Sequence, residues 1–437
     1  MAKLAINGGK PVRKKELPDY AVMDEREAQR AYEIVKKGIL SDFLGCWGDE
    51  FFGGEQVRAF ESEWAQAFDV KHAVTVNSNS TGLFCALAAI GLNPGDEVIV
   101  TPYSMSVSAS TPLFFGSIPV FADIEEDFYC LNPADIDAKI TERTKAILIV
   151  DLFGQSYDCE RVNALAKKHN LRVIEDGAQA PGGRYKNSWT GTNGDIGVFS
   201  LNYHKHIHTG EGGVIVTNDD ELAFRCQLIR NHAEAVLDDV DQKLDMDHMI
   251  GLNFRMTEIE AGIGRIQLQK LPALLEKRLA NTSRLEERLR NVDFLSMPAV
   301  RPETRHAYYV HAMKYNQKKA MNVSRADFVK AVNMELMPSG TSKTRNSYVC
   351  AGYVKPLYKQ KLYRKLSGSN NSKMNHLFRL SPKNGIDYNL VSCPIVEKMH
   401  FDRLIYHDLI HASLADEDMD DIATAFLKVA EQLSELK

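Results

Sequence analysis

The sequence predicts an α/β fold: a large domain with a mostly parallel mixed sheet, followed by a smaller α+β C-terminal domain. Three observations predict it. Short apolar runs bounded by Gly, Pro or Asp recur from about residue 55 to 260, helical patterns separate several of them, and a long helical stretch then leads into a segment of different texture. Continuous apolar runs mark strands buried on both faces, which is how strands read when helices cover each side of a parallel sheet.

The runs are Ala73–Val76, Glu97–Thr101, Ile118–Phe121, Ala146–Asp151, Arg172–Glu175, Gly197–Leu201 and Gly213–Thr217. Helical patterns at Thr81–Ile90, Cys159–His169 and the short Pro133–Ala138 lie between them. In such sheets ligands bind beyond the carboxyl ends of the strands. Good helix formers then run from Thr257 to Val292, with a bend or interruption expected at Pro272 and a role as the link between two lobes. Arg305–Tyr315 returns to strand-like composition, Asp416–Glu435 reads as an amphipathic closing helix, and Asn370–His376 (NNSKMNH) as a polar surface loop. The expected division is an N-terminal arm (1–30), a large domain (31–275) and a small C-terminal domain (276–437).

Composition narrows the function before any motif does. The 437 residues are 44% hydrophobic and 25% charged, ordinary globular usage, and a formal net charge of −5 offers no basic field for nucleic acid or an anionic membrane. Small-molecule substrates fit better. Seven scattered cysteines with no C-x-x-C pair read as the reduced thiols of a cytoplasmic protein. No signal-peptide core and no run of about 18 apolar residues occurs, so the chain is expected to be soluble and intracellular.

The most informative stretch is 195–218, DIGVFSLNYHKHIHTGEGGVIVTN, where one strand runs into a histidine-rich turn, a glycine-rich loop and a second strand. Lys205 sits in that turn. A partly desolvated lysine amine loses its proton and forms a Schiff base with an aldehyde. With 53 Lys and Arg in the chain, though, any one lysine is by default a surface charge, and context has to select it. Asp176, in EDGAQA at the expected carboxyl end of a strand, is placed either to pair with a pyridinium nitrogen or to cap a helix. The stretch 76–87, VNSNSTGLFCAL, ends a strand in small polar residues and opens an apolar helix, which is the makeup of a phosphate site, and Ser200 can add a hydroxyl. These three parts suit a phosphorylated aldehyde cofactor. A rival reading takes His204, His206 and His208 as three zinc ligands on one face of a strand. It explains neither Asp176 nor the phosphate-type loop, so no metal is predicted.

In the order of its motifs the chain resembles the sugar aminotransferases of the DegT/DnrJ/StrS type, which share the aspartate aminotransferase fold (pyridoxal-phosphate fold type I). The match runs through Gly54-Glu55 with Phe60-Glu61, Gly95-Asp96-Glu97-Val98, Thr144-Lys145-Ala146-Ile147, EDGAQA at 175, FSLNYHKHIHTGEGG at 199 and GLNFRMTEIEAGIGRIQL at 251. It covers roughly residues 30–275 and the C-terminal lobe more loosely.

The resemblance implies pyridoxal 5'-phosphate (PLP) as cofactor, carried covalently by Lys205, which would also shuttle the proton of the reaction. Asp176 would pair with the ring nitrogen and Gln179 would face the phenolic oxygen. Asn79, Ser80 and Ser200 would hold the phosphate, with Asn253 reaching in from a second subunit, which implies a homodimer with its active sites at the subunit interface. Met105 stands where many members carry a ring-stacking aromatic, although a thioether also packs against a ring. Asn79 stands where a glycine is common and His208 where a threonine is common. A branch of the family with histidine in place of the lysine consists of PLP-dependent sugar dehydratases; the aligned residue here is Lys205, with His206 beside it, which favours transamination. An intact lysine, aspartate and glutamine likewise argue against a non-catalytic binding module, and no DNA-binding extension is visible.

The implied reaction is a ping-pong transfer from an amino acid, L-glutamate being expected, to a keto-sugar. Arg255 or the histidine-rich turn is the candidate for the donor carboxylate. Most relatives act on nucleotide-linked 4-keto or 3-keto hexoses. In its N-terminal loop 41–52 (SDFLGCWGDEFF) and its C-terminal stretch 340–400 the chain instead resembles members that aminate carbon 8 of 3,8-dideoxy-8-oxo-octulosonate, a lipopolysaccharide sugar. That sugar is the expected substrate, with the nucleotide-linked hexose as the alternative. Trp47, His306, Tyr308 and Tyr309 are expected near the sugar, against simple core or loop packing for each.

Overall fold

The computed structural model describes residues 3–240, 249–336, 347–366 and 386–437. The stretch Asn370–His376 lies outside the described residues.

Every apolar run becomes a strand: β1 (His72–Val76), β2 (Glu97–Val100), β3 (Ile118–Phe121), β4 (Thr144–Val150), β5 (Arg172–Asp176), β8 (Ile196–Ser200) and β9 (Gly213–Thr217), with a short hairpin, β6 (Arg184–Tyr185) and β7 (Ser188–Trp189), between β5 and β8. They form one seven-stranded sheet in the order β1-β9-β8-β5-β4-β2-β3. The pairs from β3 through β8 are parallel, whereas β9 runs antiparallel to both β8 and β1. Geometry explains the reversal. Parallel neighbours need a long crossover, while an antiparallel pair needs only a turn, and residues 201–212, which include Lys205, are all that joins β8 to β9.

The second lobe is built on a four-stranded antiparallel sheet, order β10-β12-β14-β13, from β10 (Leu295–Ser296), β12 (His311–Tyr315), β13 (Val349–Ala351) and β14 (Leu404–His407). Helices Arg325–Leu336 and Asp416–Ala430 bury their apolar faces in its core. Arg305–Tyr315 is not one strand. Its start belongs to β11 (Thr304–Arg305), which pairs with β6, and residues 306–310 leave the sheets before β12 begins. There the backbone bonds to the large lobe instead: Ala307 N–H donates to Gly154 O (2.8 Å) and Tyr309 N–H to Phe153 O (2.8 Å).

The long helix Glu258–Leu289 continues through Pro272, contrary to the expected interruption. A proline inside a helix costs about 3 kcal/mol or more in lost bonding and clash, and packing on both sides offsets it, since Leu268, Leu271 and Leu275 are buried. A reciprocal capping box between Thr257 and Glu260 starts the helix. Its first half lies against helix Glu55–Ala67 so closely that a Cβ on Gly264 would meet Phe60 at 2.6 Å, and its second half carries Lys277 and Arg284, which pair with Asp416 and Asp420 of the closing helix. Part of the C-terminal third returns to the large lobe: Leu357, Tyr358, Tyr363, Val396 and Met399 share a core with Val100 and Phe121.

Candidate active site

Asp176 is the last residue of β5, and alternation along the strand decides what it meets. Glu175 turns the other way and accepts the backbone N–H groups of Gly191 (2.6 Å), Asn193 (2.6 Å) and Gly194 (2.9 Å). The buried Asp176 carboxylate accepts from Ser108 Oγ (3.0 Å), Asn79 Nδ2 (3.2 Å) and Ala178 N–H (3.2 Å). No helix follows it, so it caps none. Burial is the main force on this group and raises its pKa above the usual carboxylate value, against its hydrogen bonds and the charge of Lys205.

Lys205 is buried in the turn after β8, its backbone N–H held by Asn202 O at 2.9 Å. Its Nζ lies 4.5 Å from the centre of the Tyr309 ring. Burial lowers its pKa to about 8, while the Asp176 charge works the other way. The amine is thus far easier to deprotonate than a surface lysine, and it lies within the field of the Asp176 carboxylate.

The phosphate-type loop opens helix Asn79–Ala89, whose N-cap Ser78 accepts Thr81 N–H at 3.2 Å. Ser80 is exposed on the first turn, and Ser200 ends β8 with its hydroxyl accepting Asn202 N–H at 3.3 Å. Gly213 lets the helix start sit directly on the sheet: a Cβ there would come within 2.8 Å of Asn79 N. Asn79 departs from its expected role, because its side-chain amide is committed to Asp176 and Val198 O instead of facing a phosphate.

A cavity of about 290 Å³ opens beside Lys205, and Tyr20, His204, Arg278, Tyr309, Tyr353 and Tyr406 are among its lining residues. Gln179, buried next to it, accepts Phe153 N–H at 2.7 Å and donates to the Tyr353 hydroxyl at 3.4 Å. His204 is driven to about 4 by burial first and by Lys205 second, so it is neutral at neutral pH.

Several expected residues fall elsewhere. Tyr309 lines the cavity, whereas Tyr308 is buried in the core of the second lobe, its ring tilted 30° against that of His306 with centres 4.1 Å apart, and neither His306 nor Tyr308 lines it. Trp47 packs with Phe51, Phe52 and Phe224 and is 40% exposed, away from this chain's cavity. Met105 is 62% exposed, and Asn253 is exposed beside the bridge it forms with Asn231. Arg255 is spent on Asn231 Oδ1 (2.8 Å) and the face of Phe43. The three histidines do not form a strand face: His206 bonds Ala307 O (2.8 Å), His204 lines the cavity, and the His208 backbone N–H donates to Gln267 Oε1 (3.2 Å). Among the described residues no cluster of three His, Cys, Asp or Glu side chains is placed to hold a metal ion.

Ser108, Tyr20, Arg278, Tyr353 and Tyr406 were not selected from the sequence. No local pattern marks them, because each reaches the site through tertiary contacts.

Residues 46–382 match the model of the DegT/DnrJ/EryC1/StrS aminotransferase family. The chain is 36% identical over 270 residues to GDP-perosamine synthase of Caulobacter vibrioides, covering 60% of this chain and 70% of the relative. It is 36% identical over 275 residues to UDP-N-acetyl-3-dehydro-alpha-D-glucosamine 3-aminotransferase of Acidithiobacillus ferrooxidans (63% and 72%), and 30% identical over 437 residues to L-glutamine:2-deoxy-scyllo-inosose aminotransferase of Streptomyces lividus (98% and 97%). Among solved structures, an aminotransferase from Psychrobacter cryohalolentis superposes with a TM-score of 0.79 at 27% identity, over 96% of this chain and all of that one.

Proposed function

Because this chain belongs to the DegT/DnrJ/EryC1/StrS aminotransferase family and is a PLP-dependent sugar aminotransferase, we propose that Lys205 carries the cofactor and that the acceptor is a nucleotide-linked keto-hexose. The observation behind the assignment of Lys205 is its burial within the field of the Asp176 charge, with Nζ over the ring of Tyr309, a residue that lines the cavity, and with its pKa lowered to about 8. The residues suit PLP. The described hydrogen-bond donors to the Asp176 carboxylate are neutral, namely a hydroxyl, an amide and a backbone N–H, so a protonated ring nitrogen would add a directly bonded cation to the more distant charge of Lys205. The start of helix Asn79–Ala89, with the Ser80 and Ser200 hydroxyls, supplies the anion site.

When bound, PLP provides the electron sink that lets the donor's α-carbon give up its proton. The protein does the rest. Asp176 would hold the ring nitrogen protonated, Lys205 Nζ would take and return the proton, and the Tyr309 ring lies over that amine. Lys205 fills the position from which His206 is turned away toward Ala307 O, and this favours transfer of an amino group over dehydration.

Two of the three relatives named are enzymes of GDP-linked and UDP-linked sugars, the third being named for 2-deoxy-scyllo-inosose, and the two support the nucleotide-linked hexose over the octulosonate suggested by the N-terminal loop. L-glutamate remains the expected donor, with L-glutamine the alternative that the Streptomyces relative's name supports. A second copy of the chain completes the site: Met105, Tyr203, Ile250 and Leu252 are large, exposed and apolar in the single chain, and Asn253, which follows Leu252, is exposed as well. Among the described residues no disulfide joins the seven cysteines, in keeping with a reducing cytoplasm.

One assay tests the reading. The protein, loaded with PLP, is given L-glutamate and in turn a GDP-linked 4-keto-hexose, a UDP-linked 3-keto-hexose and the 8-oxo-octulosonate, and the products are weighed by mass spectrometry. Amination of a nucleotide sugar is expected; amination of the octulosonate alone would restore the other substrate. Borohydride reduction with peptide mapping checks that the cofactor is fixed to Lys205, and light scattering checks the dimer.

A further inference from the structure

The cavity beside Lys205 holds a permanent cation that none of the motifs accounts for. Arg278, in the middle of the long helix, is 3% exposed and lines that cavity. Its Nη1 donates to the backbone oxygens of Tyr308 (3.0 Å) and Tyr309 (3.3 Å), and its guanidinium lies 5.4 Å from the centre of the Tyr20 ring. Among the described residues none of the other charged groups near the cavity forms a salt bridge with Arg278. His204 is uncharged at neutral pH, Lys205 is itself a cation or neutral, and Asp408, the one acid among the lining residues, forms no salt bridge with Arg278. Among the described residues no carboxylate pairs with this guanidinium. An arginine stays protonated in proteins, and a buried charge held only by carbonyls and a phenol is costly until an anion joins it.

Arg255, one of the two candidates that the sequence offers beside the histidine-rich turn, bonds Asn231 and lies over Phe43. Arg278 also sits where a donor amino acid must come: the carbonyl it holds belongs to Tyr309, whose ring covers Lys205 Nζ. We propose that Arg278 binds a carboxylate of the amino-acid donor and is the residue that selects an amino acid over a simple amine. A single carboxylate, small and planar, matches the two-pronged donor geometry of a guanidinium. Tyr20, whose hydroxyl bonds His206 O at 2.5 Å, closes the same pocket from the N-terminal arm. The inference rests on the reading that Lys205 carries the cofactor and that this cavity is where the donor reacts.

The test compares the holoenzyme with Arg278→Gln, which keeps a hydrogen-bond donor for the Tyr309 carbonyl but loses the charge, and with Arg278→Lys, which keeps the charge. Two quantities are read: the affinity for 2-oxoglutarate by titration calorimetry, and the KM for L-glutamate against L-glutamate α-amide and L-glutamine. Removing one partner of a buried charge pair is expected to weaken 2-oxoglutarate binding and raise the glutamate KM on the order of 100-fold in Arg278→Gln. It should erase the preference for the acid over one of its two amides, with partial recovery in Arg278→Lys. Unchanged 2-oxoglutarate affinity, a donor KM that responds to Arg255→Lys and not to Arg278→Gln, or a wild-type enzyme indifferent to both amides would each overturn the assignment. If Arg278→Gln fails to fold, the amide comparison in the wild type and in Arg278→Lys decides alone. Borohydride labelling of Lys205 in the wild type separates the two levels: no label means that the cofactor reading has failed, and a label with unchanged donor selectivity means that only the role of Arg278 has.

Discussion

The reactive centre and the cavity beside it form two walls of the site, made in different ways. The wall that carries the chemistry comes from consecutive pieces of one sheet: the end of β5 gives Asp176, the turn after β8 gives Lys205, and the helix that follows β1 gives Asn79 and Ser80. The opposite wall gathers Tyr20 from the N-terminal arm, Arg278 from the long helix, Tyr309 from the crossing between β11 and β12, and Tyr353 and Tyr406 from the second lobe. A reactive centre can be written in short stretches because strand ends deliver side chains to one place by topology alone. A recognition surface has no such address, and its residues meet only when both lobes have folded.

The sharpest way to break that contrast is to act on the first wall. Lys205→Ala should lower transamination on the order of 10⁴-fold, the upper range for a positioned proton-transfer group that is also the nucleophile, with an unchanged circular dichroism spectrum. Turnover within tenfold of wild type would mean that another residue carries the reaction. Asp176→Asn, which preserves shape and removes charge, should cost about 10²- to 10³-fold in kcat and weaken retention of PLP on gel filtration. A drop confined to KM would assign Asp176 to substrate binding.

That first wall was legible because each of its parts leaves a local mark. All seven strands of the large sheet stand within two residues of the apolar runs, since burial on both faces enforces unbroken apolar composition. Pro272 misled because tertiary packing of Leu268, Leu271 and Leu275 overrides the local penalty. The neighbours His306, Tyr308 and Tyr309 were indistinguishable by composition. Which of them meets the lysine is decided by the left-handed backbone at Tyr308 (φ 50°) and by the bonds of Ala307 and Tyr309 to residues 153 and 154. Asn79 was read from its place at a helix start, yet proximity in the fold gives its amide to Asp176.

Gly154 is where the two walls are stitched together, and it offers a milder perturbation. Its φ of +99° is left-handed, and an added Cβ would lie 2.6 Å from Tyr308 N. Gly154→Ala should therefore cost about 1–3 kcal/mol of stability, measured by urea denaturation. It should also displace Tyr309, so that the donor KM rises while Lys205 can still be labelled with PLP. A variant as stable as wild type with normal kinetics would show that the crossing can move without loss, and that the two walls are less coupled than these contacts imply.

The smallest effect expected is a shift in the titration of the lysine itself. In the cofactor-free protein Lys205 Nζ has a pKa lowered to about 8 by burial, with the Asp176 charge holding it up. Reductive methylation, which needs the neutral amine, should therefore accelerate as pH rises through about 8 at this site while ordinary lysines respond only near pH 10. Asp176→Asn removes the charge that favours the ammonium, so its midpoint should move down, not up. Peptide-resolved labelling across pH 6–10 reads the direction. An upward shift would mean that burial of the amine depends on the carboxylate, because loss of Asp176 had let water reach Lys205, and the first wall would then be as dependent on long-range packing as the second.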